Sequence, residues 1–171
     1  MSEFVPQQLP QAEGHFPNTE STVVELHRLL AIFLASRRFS ELCEGYPGGF
    51  DPIFRIQKVE EDEITRILLN LAITARVVDD REGQIFELVG SDCGTLQRDT
   101  QSTQTVTLDI REACNKIIHA SKVRLDVETL GVQRYLNPTI YLYGMHQGKS
   151  WRACLDMIKF CKEYVTIVCQ F

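Results

Sequence analysis

The stretch Thr107–Ser121, read TLDIREACNKIIHAS, constrains the chain most, because one side of it reads as a buried face and another as a chemical one. Ile110, Ala113, Cys114, Ile117 and Ile118 recur at the i, i+3, i+4, i+7, i+8 spacing of a helix seam facing a core. At about 3.6 residues per turn, Arg111, Asn115 and His119 then share a slowly drifting polar stripe, with Glu112 and Lys116 beside it. The seam needs partner surfaces, and the rest of the chain offers them.

Val23, Leu26, Leu29, Leu30, Phe33 and Leu34 hold helical period to about Cys43, with Ser21 or Thr22 as cap. Gly45, Pro47, Gly48, Gly49 and Pro52 then break the chain into a loop. A second long helix is expected from Val59 to Asp80. Its acidic first turn, Glu60 to Glu63, suits the positive end of the helix dipole. Ile64, Ile67, Leu68, Leu71, Ala75 and Val78 form one seam, and Leu69, Ile73 and Val77 a second on the opposite side, the pattern of a central helix. Arg76, Asp79 and Asp80 near its end read as surface ion pairs, with a place in a site as the other option.

Ile85, Phe86, Leu88 and Val89 read as a short strand or turn of helix, and Gly90–Thr105 as polar loop. After the central stretch, Val123, Leu125 and Val127 alternate with Arg124 and Asp126, and Ile140 and Leu142 with Tyr141 and Tyr143. That alternation predicts an antiparallel hairpin at about 122–144. A last helix at about 150–168 is expected behind a Ser150 cap, with Trp151, Cys154, Leu155, Ile158, Cys161, Val165 and Val168 on its core face.

The expected fold class is therefore mainly α: a four-helix-bundle-like domain, helices at about 22–43, 59–80, 107–121 and 150–168, with a small antiparallel β-hairpin inserted before the last helix. Residues 1–22 carry Pro6, Pro10 and Pro17 and read as a flexible N-terminal arm, leaving 23–171 as a single helical domain. Cys114, Ile117, Ile118, Leu71, Ile158 and Trp151 are expected to be buried.

A domain of 171 residues hides roughly two thirds of its unfolded surface and so needs no staple. The six cysteines, Cys43, Cys93, Cys114, Cys154, Cys161 and Cys169, form no CxxC pair, and most of them read as small buried residues in a reducing compartment. With no basic flank before an apolar stretch and no bilayer-length apolar run, the expectation is a cytoplasmic protein with no membrane contact. A net charge of −5 speaks against nucleic-acid binding by bulk electrostatics but leaves room for a local patch.

Gly144-Met-His-Gln-Gly148-Lys149-Ser150 has the flavour of a phosphate loop but is one residue short of the P-loop interval, so a capped strand-to-helix turn is the simpler reading. His15, His27, His119 and His146 lack zinc spacing, and no GxSxG elbow is present. Neither metal nor cofactor is expected.

The segment Cys114-Asn115-Lys116-Ile117-Ile118-His119, late in a helical domain, resembles the HEPN family, the higher eukaryote and prokaryote nucleotide-binding domains. The resemblance implies a four-helix bundle that pairs as a homodimer around an Arg-Asn-x3-His motif, and a metal-independent endoribonuclease of toxin or defence type. Asn115 and His119 match the family's Asn and His. Cys114 stands where its Arg commonly precedes Asn, and Arg111 lies one turn earlier.

Such a site has a physical rationale. Cutting RNA without metal needs a base for the 2′-hydroxyl proton, the role of His119, and a cation for the phosphate charge, the role of Arg111. Asn115 would orient His119 or hold a phosphate oxygen, while Lys116, Lys122 and Arg124 would hold the RNA. The competing expectation is a catalytically inactive helical module that binds a protein or small ligand, with His119 merely favouring the helix C-terminus.

Overall fold

The computed structural model describes residues 19–45, 49–84, 86, 88–131 and 133–170. Most of the expected N-terminal arm lies outside the described residues; residues 19–22 form the first turn of a helix. The helices are α1 (Thr19–Leu42), α2 (Pro52–Gln57), α3 (Glu60–Arg81), α4 (Ile110–His119) and α5 (Met157–Ile167), the last running into a 3-10 turn at Val168–Gln170. The strands are β1 (Gly94–Gln97), β2 (Val106–Thr107), β3 (Lys122–Leu130), β4 (Gln133–His146) and β5 (Lys149–Asp156). They form one antiparallel sheet in the order β2-β1-β5-β4-β3.

A five-stranded sheet replaces the expected small hairpin, so the chain is an α+β layered fold and not a four-helix bundle. The largest correction falls at the C-terminal end, where the expected last helix begins as a strand. Gln147 and Gly148 both adopt positive φ, 49° and 77°, between the paired residues His146 and Lys149. That is the two-residue hairpin turn whose twist matches the strands it joins, so the chain returns as β5 beside β4. Trp151, Ala153 and Leu155 point inward with strand period, and the helix starts only at Met157. Asp156, rather than Ser150, caps α5 by accepting from the Ile158 and Lys159 amides at 3.0 Å each. Ile158, expected in the core, is 37% exposed, while Trp151 is buried from a strand.

Three further expectations change for related reasons. The polar stretch read as loop contains β1, whose Leu96 is the only residue of that strand in the core, so hydrophobic alternation could not announce it. Most of the stretch expected to link the hairpin strands extends them instead, β3 running to Leu130 and β4 starting at Gln133, with Pro138 accommodated where the β3–β4 register shifts between Leu125 and Val127. α4 is shorter than expected because Thr107 belongs to β2 and Asp109 caps the helix, accepting from the Glu112 amide at 2.7 Å.

The helices cover one face of the sheet. The α4 seam, Ile110, Ala113, Cys114 and Ile117, is buried as expected, with Ile118 partly buried against it. It packs with Phe160 and Tyr164 of α5, Leu29 and Phe33 of α1, and the inward residues Ile140, Leu142 and Leu155 of the sheet in one core. α3 buries the Ile64–Val78 seam, including Leu71, but Leu69, Ile73 and Val77 stand exposed. It is an outer covering helix, not a central one. All six cysteines are free; burial pushes the Cys114 and Cys161 thiols up to about 12, as expected of inert core residues. Among the described residues no helix is long and apolar enough to cross a membrane.

Candidate functional site

The polar stripe of α4 divides in three dimensions. Arg111 turns toward α3, where its Nε donates to Asp79 Oδ2 at 2.7 Å. Asp79 is fully buried, also accepts from the Phe86 amide at 2.9 Å, and has Arg76 Nη1 at 3.5 Å. The residues expected to pair at the surface, Arg76 and Asp79, thus anchor the α3–α4 junction from inside, and Arg111 is part of that anchor.

Asn115 and His119 instead line an open groove of about 530 Å³ together with Lys116 and Glu112 of α4. Its opposite wall is the β4–β5 hairpin, through Met145, His146 and Trp151, and Arg98 closes one end. Three local features hold these walls together. The α4 exit is tied to β4 by Ser121, whose amide donates to the Tyr143 carbonyl at 2.9 Å. The loop carrying Arg98 is tied to β5 by the Thr100 amide, which donates to the Ser150 carbonyl at 2.9 Å. Lys149 Nζ, 3.5 Å from Asp99, adds an ion pair beside it.

The floor depends on a glycine. Gly144 pairs across the strands with Trp151, and a Cβ at Gly144 would lie 2.2 Å from Trp151 Cζ2, so only glycine lets the indole lie over the backbone. Lys116 Nζ sits 4.6 Å from the Trp151 ring centroid and 3.2 Å from Glu112 Oε1. Arg98 Nη1 approaches the same Glu112 oxygen at 3.6 Å. Partial burial pushes the Glu112 carboxyl up, but Lys116, Asn115 and Arg98 outweigh it and hold the group below its ordinary value. Glu112 is therefore a fixed anion that keeps two cations in place. Among the described residues, neither the His119 nor the His146 imidazole has a hydrogen-bond or ionic partner.

Lys122 and Arg124, expected to hold nucleic acid with Lys116, lie on the uncovered face of the sheet rather than in the groove. Arg124 stacks over Tyr141, its guanidinium carbon 4.4 Å from the ring centroid. Sequence reasoning missed His146, Arg98 and Trp151 as groove residues. The first and last fall in the segment taken for a loop and helix, and Arg98 falls in the segment taken for structureless loop. No group of His, Cys, Asp and Glu among the described residues is arranged to hold a metal ion. Compared with protein-family models, curated proteins and solved structures, the chain matches none.

Proposed function

We propose that the groove cleaves single-stranded RNA by metal-independent transesterification, with His119 and His146 as the acid–base pair. The observation that carries the reading is the meeting of two exposed, partner-free imidazoles with Lys116, Arg98 and Asn115 in one concavity. In this scheme His119 accepts the 2′-hydroxyl proton as the 2′-oxygen attacks phosphorus. The bond from phosphorus to the 5′-oxygen breaks, and His146 delivers a proton to that oxygen, leaving a 2′,3′-cyclic phosphate and a 5′-hydroxyl. Lys116 and Arg98 supply the charge stabilisation first expected of Arg111, and the Asn115 amide donates to a non-bridging oxygen. A bound phosphate competes with Glu112 for both cations, and Trp151 offers an apolar wall to ribose or base.

The test is purified protein with end-labelled single-stranded RNA and an all-2′-deoxy control, with and without chelator. Cyclic-phosphate products from RNA alone are expected at a chelator-independent rate. His119→Ala and His146→Ala should each lower that rate by about 10²–10⁴ without changing the melting temperature. Intact RNA across neutral pH, or variants as active as the parent protein, would remove the catalytic reading. The groove would then belong to a binding module.

A further inference from the structure

The uncovered face of the sheet carries the second arrangement of chemistry. Register places Lys122, Tyr143, Arg152 and Gln97 side by side across β3, β4, β5 and β1. The adjacent row along the strands is Arg124, Tyr141, Cys154 and Thr95. Leu142 and Ala153, the residues between these rows, are buried, so the tyrosines and basic side chains project from the opposite side, which no helix among the described residues covers. Lys122, Arg124 and Arg152 are exposed, and both tyrosines are half-buried, which leaves their rings available on a rigid base. Farther along, the face changes sign: Asn137 donates to Asp126 at 3.1 Å and to Glu128 at 2.7 Å, and Asp156 stands beyond β5's Cys154.

We infer that this face is a stacking platform for single-stranded nucleic acid, with Tyr141 and Tyr143 each receiving a base and Lys122, Arg124 and Arg152 holding the phosphates. Two residues apart on one strand, the rings are spaced roughly 7 Å along β4, a distance that successive bases of an extended strand can span. The Arg124 guanidinium already occupies the Tyr141 face, and a base takes its place there while the arginine moves to phosphate. The carboxylates of Asp126, Glu128 and Asp156 repel the backbone, so the strand is confined to the basic end. That end leads to the groove. Met145 follows Tyr143 on the same side of β4 and lines the rim of the groove at the hairpin tip, while His146 and Trp151 face the helix side, so a strand on the platform reaches the two histidines by passing round that tip. In naming how the substrate is held, the inference goes beyond the cleavage proposal but does not need cleavage to occur.

Fluorescence anisotropy with a fluorescein-labelled 12-nucleotide mixed-sequence RNA, and the same sequence as DNA, tests it across a salt series. Binding of both strands is expected, since stacking and phosphate contacts do not read the 2′-hydroxyl. Tyr143→Ala and Tyr141→Ala should each weaken Kd about 10-fold. Lys122→Ala with Arg152→Ala should flatten the salt slope by about 0.7 for each charge removed. His119→Ala with His146→Ala should bind as the parent does, which separates this inference from the cleavage reading. Tyrosine-dependent binding without RNA cleavage supports the platform and removes only the enzyme.

The inference falls if the tyrosine variants bind unchanged with parental melting temperatures, or if only the histidine variants lose affinity. It also falls if polyglutamate competes as well as RNA at equal charge, because the face would then be a general anion surface suited to an acidic protein. Tyr→Phe versions keep the ring and should restore affinity. A platform variant that melts early is judged against its Phe counterpart, and failure of Phe to restore binding overturns the stacking role.

Discussion

Arg111→Ala separates a structural arginine from a catalytic one. In the structure the side chain is 19% exposed and its Nε lies 2.7 Å from a fully buried Asp79. Removing one partner of a buried pair costs about 3–5 kcal/mol, mostly because the charge left behind cannot return to water. Asp79 would keep the Phe86 amide at 2.9 Å and Arg76 at 3.5 Å, so the lower end, about 3 kcal/mol, is expected. For a chain of this size that corresponds to a melting temperature lowered by roughly 6–12 °C. Urea unfolding followed by far-ultraviolet circular dichroism measures the change, with Asp79→Ala and the double variant completing a cycle. Because Arg111 and Asp79 are in direct contact, the double variant should cost less than the sum of the singles by at least about 1 kcal/mol. If Arg111→Ala unfolds within about 0.5 kcal/mol of the parent, or the two changes add, the α3–α4 anchor is not what the geometry says. A stable Arg111→Ala protein that had also lost cleavage would return Arg111 to the site.

Gly144→Ala should destabilise the fold by about 1–3 kcal/mol and shift the emission of Trp151, the single tryptophan, because its Cβ cannot coexist with the indole. Ile117→Ala should cost about 2–4 kcal/mol in a denaturation midpoint, whereas Ile158→Ala, at a site 37% exposed, should cost well under half as much. Glu60 is buried under α1, with Ser36 donating to it at 2.8 Å, and desolvation holds its carboxyl above the ordinary value of 4.5. A raised acid in the folded state gives stability that is full below pH 4.5 and is lost as pH rises through the folded value. Glu60→Gln should therefore gain on the parent as pH rises from 4.5 toward neutrality, and parallel stability–pH curves for the two would refute this. The partnerless Gln57 Oε1 and Glu60 Oε1 fit the same account, since a proton on Glu60 turns one acceptor into a donor.

What the sequence made legible was whatever repeated with a single period. The α3 and α4 seams and the Val123–Val127 and Ile140–Leu142 alternations appear near their expected places, whereas α1 buries Leu26, Leu29 and Phe33 of its expected seam and leaves Val23 and Leu34 exposed. Failure came where the period changed or was hidden. Trp151, Cys154 and Leu155 satisfy helical spacing by coincidence, while Ala153, which completes the strand pattern, is a weak apolar signal. β1 offers one core residue, and the partner that makes it a strand, β5, lies more than fifty residues away. Asn115 and His119 could be placed on a common face from local spacing alone. Whether Arg111 stayed with them depended on α3, and the burial of Asp79 is a tertiary fact with no local signature.

The hairpin turn shows how one local decision controls the site. Had Lys149 and Ser150 opened a helix, His146 would sit in a connecting loop and Trp151 would face a helical core. Positive φ at Gln147 and Gly148 instead reverses the chain in two residues and sets Gly144 opposite Trp151. The glycine admits the indole, the indole carries Lys116, and Lys116 shares Glu112 with Arg98, so the groove's charge is arranged from the turn outward. His146, at the last paired position before that turn, is thereby brought to the groove that His119 reaches from the end of α4. Lengthening the turn by one glycine would relax the His146–Lys149 pairing while leaving the α4 seam untouched. A cleaving protein should then lose rate with little change in unfolding midpoint, and a loss of stability comparable to Ile117→Ala would show instead that the hairpin tip supports the core.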